Sequence, residues 1–343
     1  MAFFSKLTKD RFCRFRRIKR AWYSFLILSA LFILSLFSEL ICNDKPYVLS
    51  YQGRLYFPIF QFYPEKEFGG KYLTEADYVS LRHSSDFKDG ENWMILPPIP
   101  HNPLHSYIDL SGTPPHPPSA KHLLGTDSSA RDVFARLLYG FRICMLFSLI
   151  LTAISTLFGI LIGGVQGYFG GVVDMIMQRL IEIWSSLPFL YVVILVGTIY
   201  SRSFMILILV LSLFQWIGLS YYMRGEFLKI RSLNYVKVAK TMGMSSGHIL
   251  FRQILPNGLT PVITLLPFQI IGGIGALTAL DFLGFGLQPP TPSWGELLSQ
   301  GLNHLFAPWL AISTVICLFT TLLLATFIGE GVREAFDPRS STD

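Results

Sequence analysis

YVKVAKTMGMSSGHILFRQILPN, residues 235–257, is a basic, glycine-punctuated stretch between two long apolar runs, and its reading decides how the rest of the chain is arranged. Tyr235, Val238, Ala239 and Met242 recur at i, i+3, i+4 and i+7, the spacing that lays one apolar stripe along a short helix. Gly243 ends that helix, because glycine takes the left-handed cap conformation without steric cost. A second short helix is expected from about Ser246 to Leu255, with Pro256 stopping it. The product is a helix-turn-helix knob that offers a docking surface.

Composition places the knob in a membrane protein. The chain has 343 residues, of which 51% are hydrophobic and 15% charged. Its mean hydropathy is +0.47. That is too apolar for an ordinary soluble domain, and the pattern predicts an all-α polytopic protein with six transmembrane helices. Spans are expected at about Ala21 to Ile41, Ile143 to Val165, Ile183 to Tyr200, Phe204 to Met223, Leu259 to Leu280 and Ala307 to Ile328. Six crossings put both ends on one side.

Charge decides which side. Between Lys6 and Arg20 there are eight Lys or Arg against one acid, Asp10, and from Arg224 to Arg252 there are six against one, Glu226. The positive-inside rule makes both segments cytoplasmic, and an even number of crossings between them keeps the two assignments consistent. The expected organisation is a basic cytoplasmic N-terminus (1–20), a first transmembrane helix (21–41) and a large periplasmic insertion (42–140). A five-helix core (141–330) follows, carrying the cytoplasmic loop 224–258 between the fourth and fifth spans of the chain, and then a cytoplasmic tail (331–343). The insertion holds nine basic and eleven acidic residues, and loops this long translocate largely regardless of charge.

The net charge of +6 calls for no nucleic-acid partner: the excess sits in the two cytoplasmic segments, where the orientation rule and anionic membrane lipid account for it. The run from Ala21 to Ile41 is about twice a signal-peptide core, lacks a small-x-small cleavage site and begins with interfacial Trp22 and Tyr23, so it reads as a retained span. Cys13, Cys42, Cys144 and Cys317 form no disulfide framework or metal spacing. Within the insertion, Tyr51 to Tyr72 is aromatic and turn-rich and could form a few short strands, whereas Pro97 to Pro118 reads as extended. His101, His105, His116 and His122 fall near that proline-rich part, at spacings matching no rigid ligand pattern, so no metal is expected.

The other chemical readings are weaker. His122 and Asp127 form a His-x4-Asp pair of the kind membrane acyltransferases use, which makes a membrane acyltransferase the alternative function. No Gly-x-Ser-x-Gly elbow accompanies it. Arg179 and Glu182, three apart, read as a structural pair at the cytoplasmic edge, and Asp281 and Glu330 as boundary charges. No ladder of acids or histidines runs through the spans as a proton-driven carrier needs, and no Walker A loop is present to bind ATP. Energy is therefore expected from a partner, transmitted through the knob. No catalytic residue and no cofactor is assigned.

The loop 235–257 resembles the coupling loop of binding-protein-dependent ABC importer permeases, whose pattern is Glu-Ala-Ala, then Gly, then Leu-Pro near the end. Gly243, Leu255 and Pro256 match; Lys237 and Val238 depart, and Ala239 is kept. HLLGTDSSARDVFARLLYGFRI (122–143), GYFGGVVDMIMQRLIEI (167–183) and LDFLGFGLQPPTPSWGELL (280–298) are similar to segments of the dipeptide and oligopeptide branch of that family. The aromatic insertion is similar to the extended external region of the microcin C and long-peptide importer permeases. The resemblance implies a non-enzymatic transport subunit in the bacterial inner membrane that moves peptides. It also implies three partners: a second permease subunit in a heterodimer, an ABC ATPase protein and a periplasmic peptide-binding protein. It assigns ATPase coupling to Tyr235, Lys237, Val238, Ala239, Met242, Gly243, Ile249, Leu255 and Pro256.

Overall fold

In lipid a chain must satisfy its backbone polar groups internally, so long apolar runs become helices. The structure, a computed structural model, describes residues 6–87, 92–108, 110 and 112–337. Its elements are α1 (Lys6–Arg17), α2 (Lys19–Leu36), α3 (Ser38–Ile41), β1 (Val48–Tyr51), β2 (Arg54–Tyr56), α4 (Tyr78–His83), β3 (Trp93–Ile95) and α5 (Val133–Phe169). They continue with α6 (Gly171–Ser185), α7 (Phe189–Ile199), α8 (Phe204–Arg231), α9 (Asn234–Thr241), α10 (Ser246–His248), α11 (Leu255–Gly258), α12 (Thr260–Phe282), α13 (Trp294–Asn303) and α14 (Pro308–Phe336). Among the described residues, α2, α5, α8, α12 and α14 are each long and apolar enough to cross a membrane.

The expected third span, Ile183 to Tyr200, is not one helix. α6 ends at Ser185, α7 begins behind Pro188, and the two bend by 68°. The cause is local: the residue before a proline is pushed out of the helical region, and Pro188 has no N–H to continue the ladder. Among the described residues the membrane-length helices thus number five, or six if the bent pair counts as one span.

The chain divides into two compact units, Met1–Ala30 with Cys144–Gln288 and Cys317–Asp343, and Leu31–Ile143 with Pro289–Ile316. In the first, three glycines four residues apart on α5 let α8 approach backbone to side. A Cβ at Gly159 would stand 2.9 Å from the Leu219 Cβ, at Gly163 2.3 Å from the Ser220 carbonyl oxygen, and at Gly167 2.5 Å from the Phe227 Cβ. Helices in lipid have little hydrophobic drive to associate, so this close van der Waals contact does the holding. Gly273 on α12 also makes a close approach, its added Cβ meeting Ser148 at 3.0 Å, whereas nothing stands within 4 Å of an added Cβ at Gly272 or Gly275. Elsewhere in this unit Phe15 and Ala21 cluster with Ala335, and Arg20 reaches Glu330 at 3.7 Å, so the two ends of the described chain lie together.

In the second unit β1 pairs antiparallel with both β2 and β3, in the order β2-β1-β3. Leu49 and Tyr51, two apart on one face of β1, join Phe68, Ala76 and Tyr78 in an aromatic core. Strands do form in the aromatic insertion, but β1 starts before Tyr51 and β3 lies beyond Tyr72. The described part of 97–118 contains neither helix nor strand.

Candidate coupling surface

The knob is built from α9, a left-handed cap and a distorted second limb. α9 closes in a full Schellman motif: the Met244 N–H donates to the Ala239 carbonyl at 3.2 Å and the Gly243 N–H to the Lys240 carbonyl at 3.1 Å. The cap requires a positive φ, and Gly243 has φ +78° with no atom within 4 Å of where a Cβ would stand. The demand for glycine is therefore conformational and not a matter of space. Ser245 then opens the second limb, its hydroxyl accepting from the His248 N–H at 3.4 Å. No sequence argument above singled out Ser245, although a serine directly before a helix start is a usual capping signal.

The second limb departs from expectation. It does not stop at Pro256: α10, a π-helical turn over Ile249–Ile254 and α11 run on to Gly258, and α12 starts two residues later. A proline inside a helix removes one donor and crowds the carbonyl four residues back. The wider π turn accommodates this, with the Leu255 N–H reaching the Leu250 carbonyl, five residues back, so the chain passes Pro256 without a break.

Burial divides the expected stripe. Ala239 is buried, and so is Val236, which lay outside the stripe. Tyr235, Val238 and Met242 are 44%, 54% and 73% exposed. Val236, Ala239, Ile249 and Ile254 pack with Tyr168, Leu219, Met223, Phe227, Ile230 and Val262, so the knob is fixed to the ends of α5, α8 and α12 by one core. These three outward residues stand exposed, and Lys237, Lys240 and Arg252 are exposed beside them. Arg231, Lys237 and Lys240 also line a cavity of about 410 Å³ between α8 and α9. Leu255 is half-buried and Pro256 exposed on the second limb. The nine expected coupling residues thus form one feature, with Ala239 and Ile249 as its anchors and the others facing outward or bordering it.

Two contacts brace the base of the knob. Asp174 on α6 receives the Arg224 guanidinium at 2.6 and 2.7 Å, and Arg231 donates to the Phe169 carbonyl at 2.9 Å. Each ties the turn between α5 and α6 to the end of α8. Arg179 and Glu182 form the exposed pair that was expected, at 2.6 Å.

The alternative catalytic pair does not exist. His122 Nδ1 lies 2.8 Å from Asp132, not Asp127. Asp127 instead accepts the backbone N–H groups of Ser129 and Arg131, both at 2.9 Å, and sits against the guanidinium groups of Arg131 (2.7 Å) and Arg136 (3.3 Å). Glu296 closes the cluster by accepting from both arginines. Burial alone would lower the Arg131 pKa, but Asp127 and Glu296 outweigh it and raise it. A carboxylate held so completely has no capacity left to orient a general base. Nor is Asp281 a plain boundary charge: it is buried, accepts from the Leu287 N–H at 2.6 Å, and would meet any Cβ at Gly286.

With this geometry in place, comparison with known proteins is informative. Residues 155–342 match the model of the family described as "Binding-protein-dependent transport system inner membrane component". The chain is 41% identical to the peptidoglycan transport system permease protein YejE of Agrobacterium fabrum, over 98% of this chain and 94% of that one. It is 42% identical to the inner membrane ABC transporter permease protein YejE of Escherichia coli, over 99% and 100%. To the oligopeptide transport system permease protein OppC of Haemophilus influenzae it is 36% identical over 64% and 70%. The family match spans the whole knob, α8, α12 and the end of α5 that packs against the knob, and the first two relatives span the insertion as well. The chain belongs to the binding-protein-dependent transport system inner membrane components, the multi-pass permease subunits of ABC importers, which are transport subunits and not enzymes.

Proposed function

We propose that this permease carries peptides inward across the bacterial inner membrane and that residues 235–257 couple a partner ATPase to the spans. The observation that carries the coupling reading is the division of α9: Val236 and Ala239 are locked into the core while Tyr235, Val238 and Met242 remain exposed beside Lys237 and Lys240. An element anchored on one side and adhesive on the other can transmit a partner's movement. The peptide assignment is supported by the printed names of relatives, which include peptidoglycan and oligopeptide transport.

In this reading α6 and α7 together make the third of six spans, both termini are cytoplasmic, and 42–140 is periplasmic. The contact of the α1–α2 junction with the end of α14 supports placing both termini on one side. A second permease completes the pore, a periplasmic binding protein delivers cargo to the outer face, and ATP-driven closure of the ATPase switches the access of the pore.

Site-directed crosslinking tests the docking surface. Cys13 is the exposed native thiol, so a Cys13→Ser background isolates a cysteine placed at Met242. A short bifunctional reagent should join Met242→Cys to a co-expressed ATPase in native membranes, and a cysteine at exposed Phe60, in the insertion, should give no such product. Crosslinking from Phe60→Cys and none from Met242→Cys would overturn the assignment.

A further inference from the structure

The insertion brings together three side chains whose sequence spacing suggested nothing. One ligand atom each from His101, His122 and Asp132 lies within 4.8 Å of the others. The His101 and His122 rings stack with centroids 4.3 Å apart. His122 and Asp132 are buried, and His101 and His122 both border a cavity of about 570 Å³.

Hydrogen bonding fixes what each group can offer. His101 Nε2 meets the Lys121 carbonyl at 2.7 Å; a carbonyl only accepts, so Nε2 carries the proton and Nδ1 is left with a lone pair. That Nδ1 is buried and has no hydrogen-bond partner among the described residues. Burial also lowers the His101 pKa, which favours the neutral ring. Asp132 is oriented from the other side: one carboxylate oxygen caps α5 by accepting from the Ala135 N–H at 2.8 Å, and the other faces His122 at 2.8 Å. A backbone carbonyl holding the far nitrogen of one histidine, and a helix cap holding a carboxylate, are the outer supports that metal ligands use.

We propose that His101 Nδ1, His122 Nδ1 and Asp132 Oδ2 bind one divalent transition metal of the zinc type, with water in the fourth position on the cavity side. The metal takes the place of the proton between His122 Nδ1 and Asp132, and that proton shifts to His122 Nε2, which keeps the ring neutral. Two nitrogens and one carboxylate suit zinc and cobalt and exclude the all-oxygen preference of calcium and magnesium. A tetrahedral zinc with bonds of about 2.0 Å has ligand–ligand edges of roughly 3.3 Å. Binding therefore draws the ligands together and turns the stacked rings off parallel. The bound ion clasps the proline-rich segment that carries His101 to the start of α5. This is independent of the coupling reading.

The test uses the full chain, purified with a histidine-free tag and treated with a chelator, then titrated with Co²⁺ and Zn²⁺. The wild type should take up one equivalent of Co²⁺ with visible tetrahedral absorption, lost on adding one equivalent of Zn²⁺. His101→Ala and His122→Ala should each weaken Zn²⁺ binding at least ten-fold. Asp132→Asn should do the same while keeping the helix cap, because Asn caps as well as Asp. His116→Ala should bind like the wild type. Absence of a stoichiometric Co²⁺ spectrum in the wild type, or equal Zn²⁺ affinity in the wild type and His101→Ala, would overturn the proposal.

Discussion

The knob and the cluster around Arg136 handle polar and apolar residues in opposite ways. In the knob, apolar Tyr235, Val238 and Met242 and the lysines beside them are left outside, while only small or branched anchors go in. Around Arg136, two arginines and Asp127 are drawn inside, Glu296 stands half-buried at the edge, and the four are satisfied largely by one another and by backbone carbonyls. The knob leaves apolar and basic groups exposed, as the proposed docking requires, whereas the cluster is closed on itself. Substitutions in the cluster should therefore act on folding, and substitutions in the knob on transport.

The largest effect should come from the cluster. Arg136→Met leaves buried Asp127 and half-buried Glu296 with one guanidinium between them, and breaking a buried pair by removing one partner costs about 3–5 kcal/mol. Thermal unfolding in detergent should show a large loss of stability, with the residual folded chain transporting normally per molecule. Equal stability of Arg136→Met and wild type would remove the contrast between the regions.

Next in size is Gly243→Val, which forces a β-branched residue to hold φ +78°, a strain of about 1–3 kcal/mol. Its unfolding temperature should change less than that of Arg136→Met, because the strain is local and nothing stands where the Cβ would go, yet uptake should drop at least ten-fold. Ser245→Ala removes the cap of the second limb at a cost of about 1 kcal/mol, and transport assays should show a partial loss. The smallest change belongs to Pro256→Ala. That proline is exposed and the π turn already accommodates it, so stability and uptake should stay within about 0.5 kcal/mol of wild type. If Pro256→Ala proved worse than Gly243→Val, the second limb and not the cap would be the critical part of the knob.

What could be read in the sequence was local. The start and end of α9 follow from the 3.6-residue period and Gly243, and most long helices follow from apolar length alone. The break at Pro188 and the passage through Pro256 show one signal with two outcomes. At Pro188 the chain bends, whereas at Pro256 a π turn absorbs the missing donor, and the residue type alone does not say which relief the surroundings allow. Contacts between distant segments were hidden. Glu296 is 160 residues from Arg136, and nothing in either neighbourhood announces the other. His122 could be paired only by spacing, which offered Asp127, while the fold turns the chain so that Asp132 is the partner. Gly159, Gly163 and Gly167 did carry a visible period of four, a small-residue strip that would have pointed to the α5–α8 contact.

The central claim is that the capped knob transmits ATP hydrolysis to the spans. It is tested most directly by reconstituting the transporter with wild-type or Gly243→Val permease in vesicles and measuring ATP hydrolysis and peptide uptake in the same preparation. The account predicts that Gly243→Val assembles with its ATPase and hydrolyses ATP while uptake per ATP falls at least ten-fold. Uptake per ATP equal to wild type would contradict it.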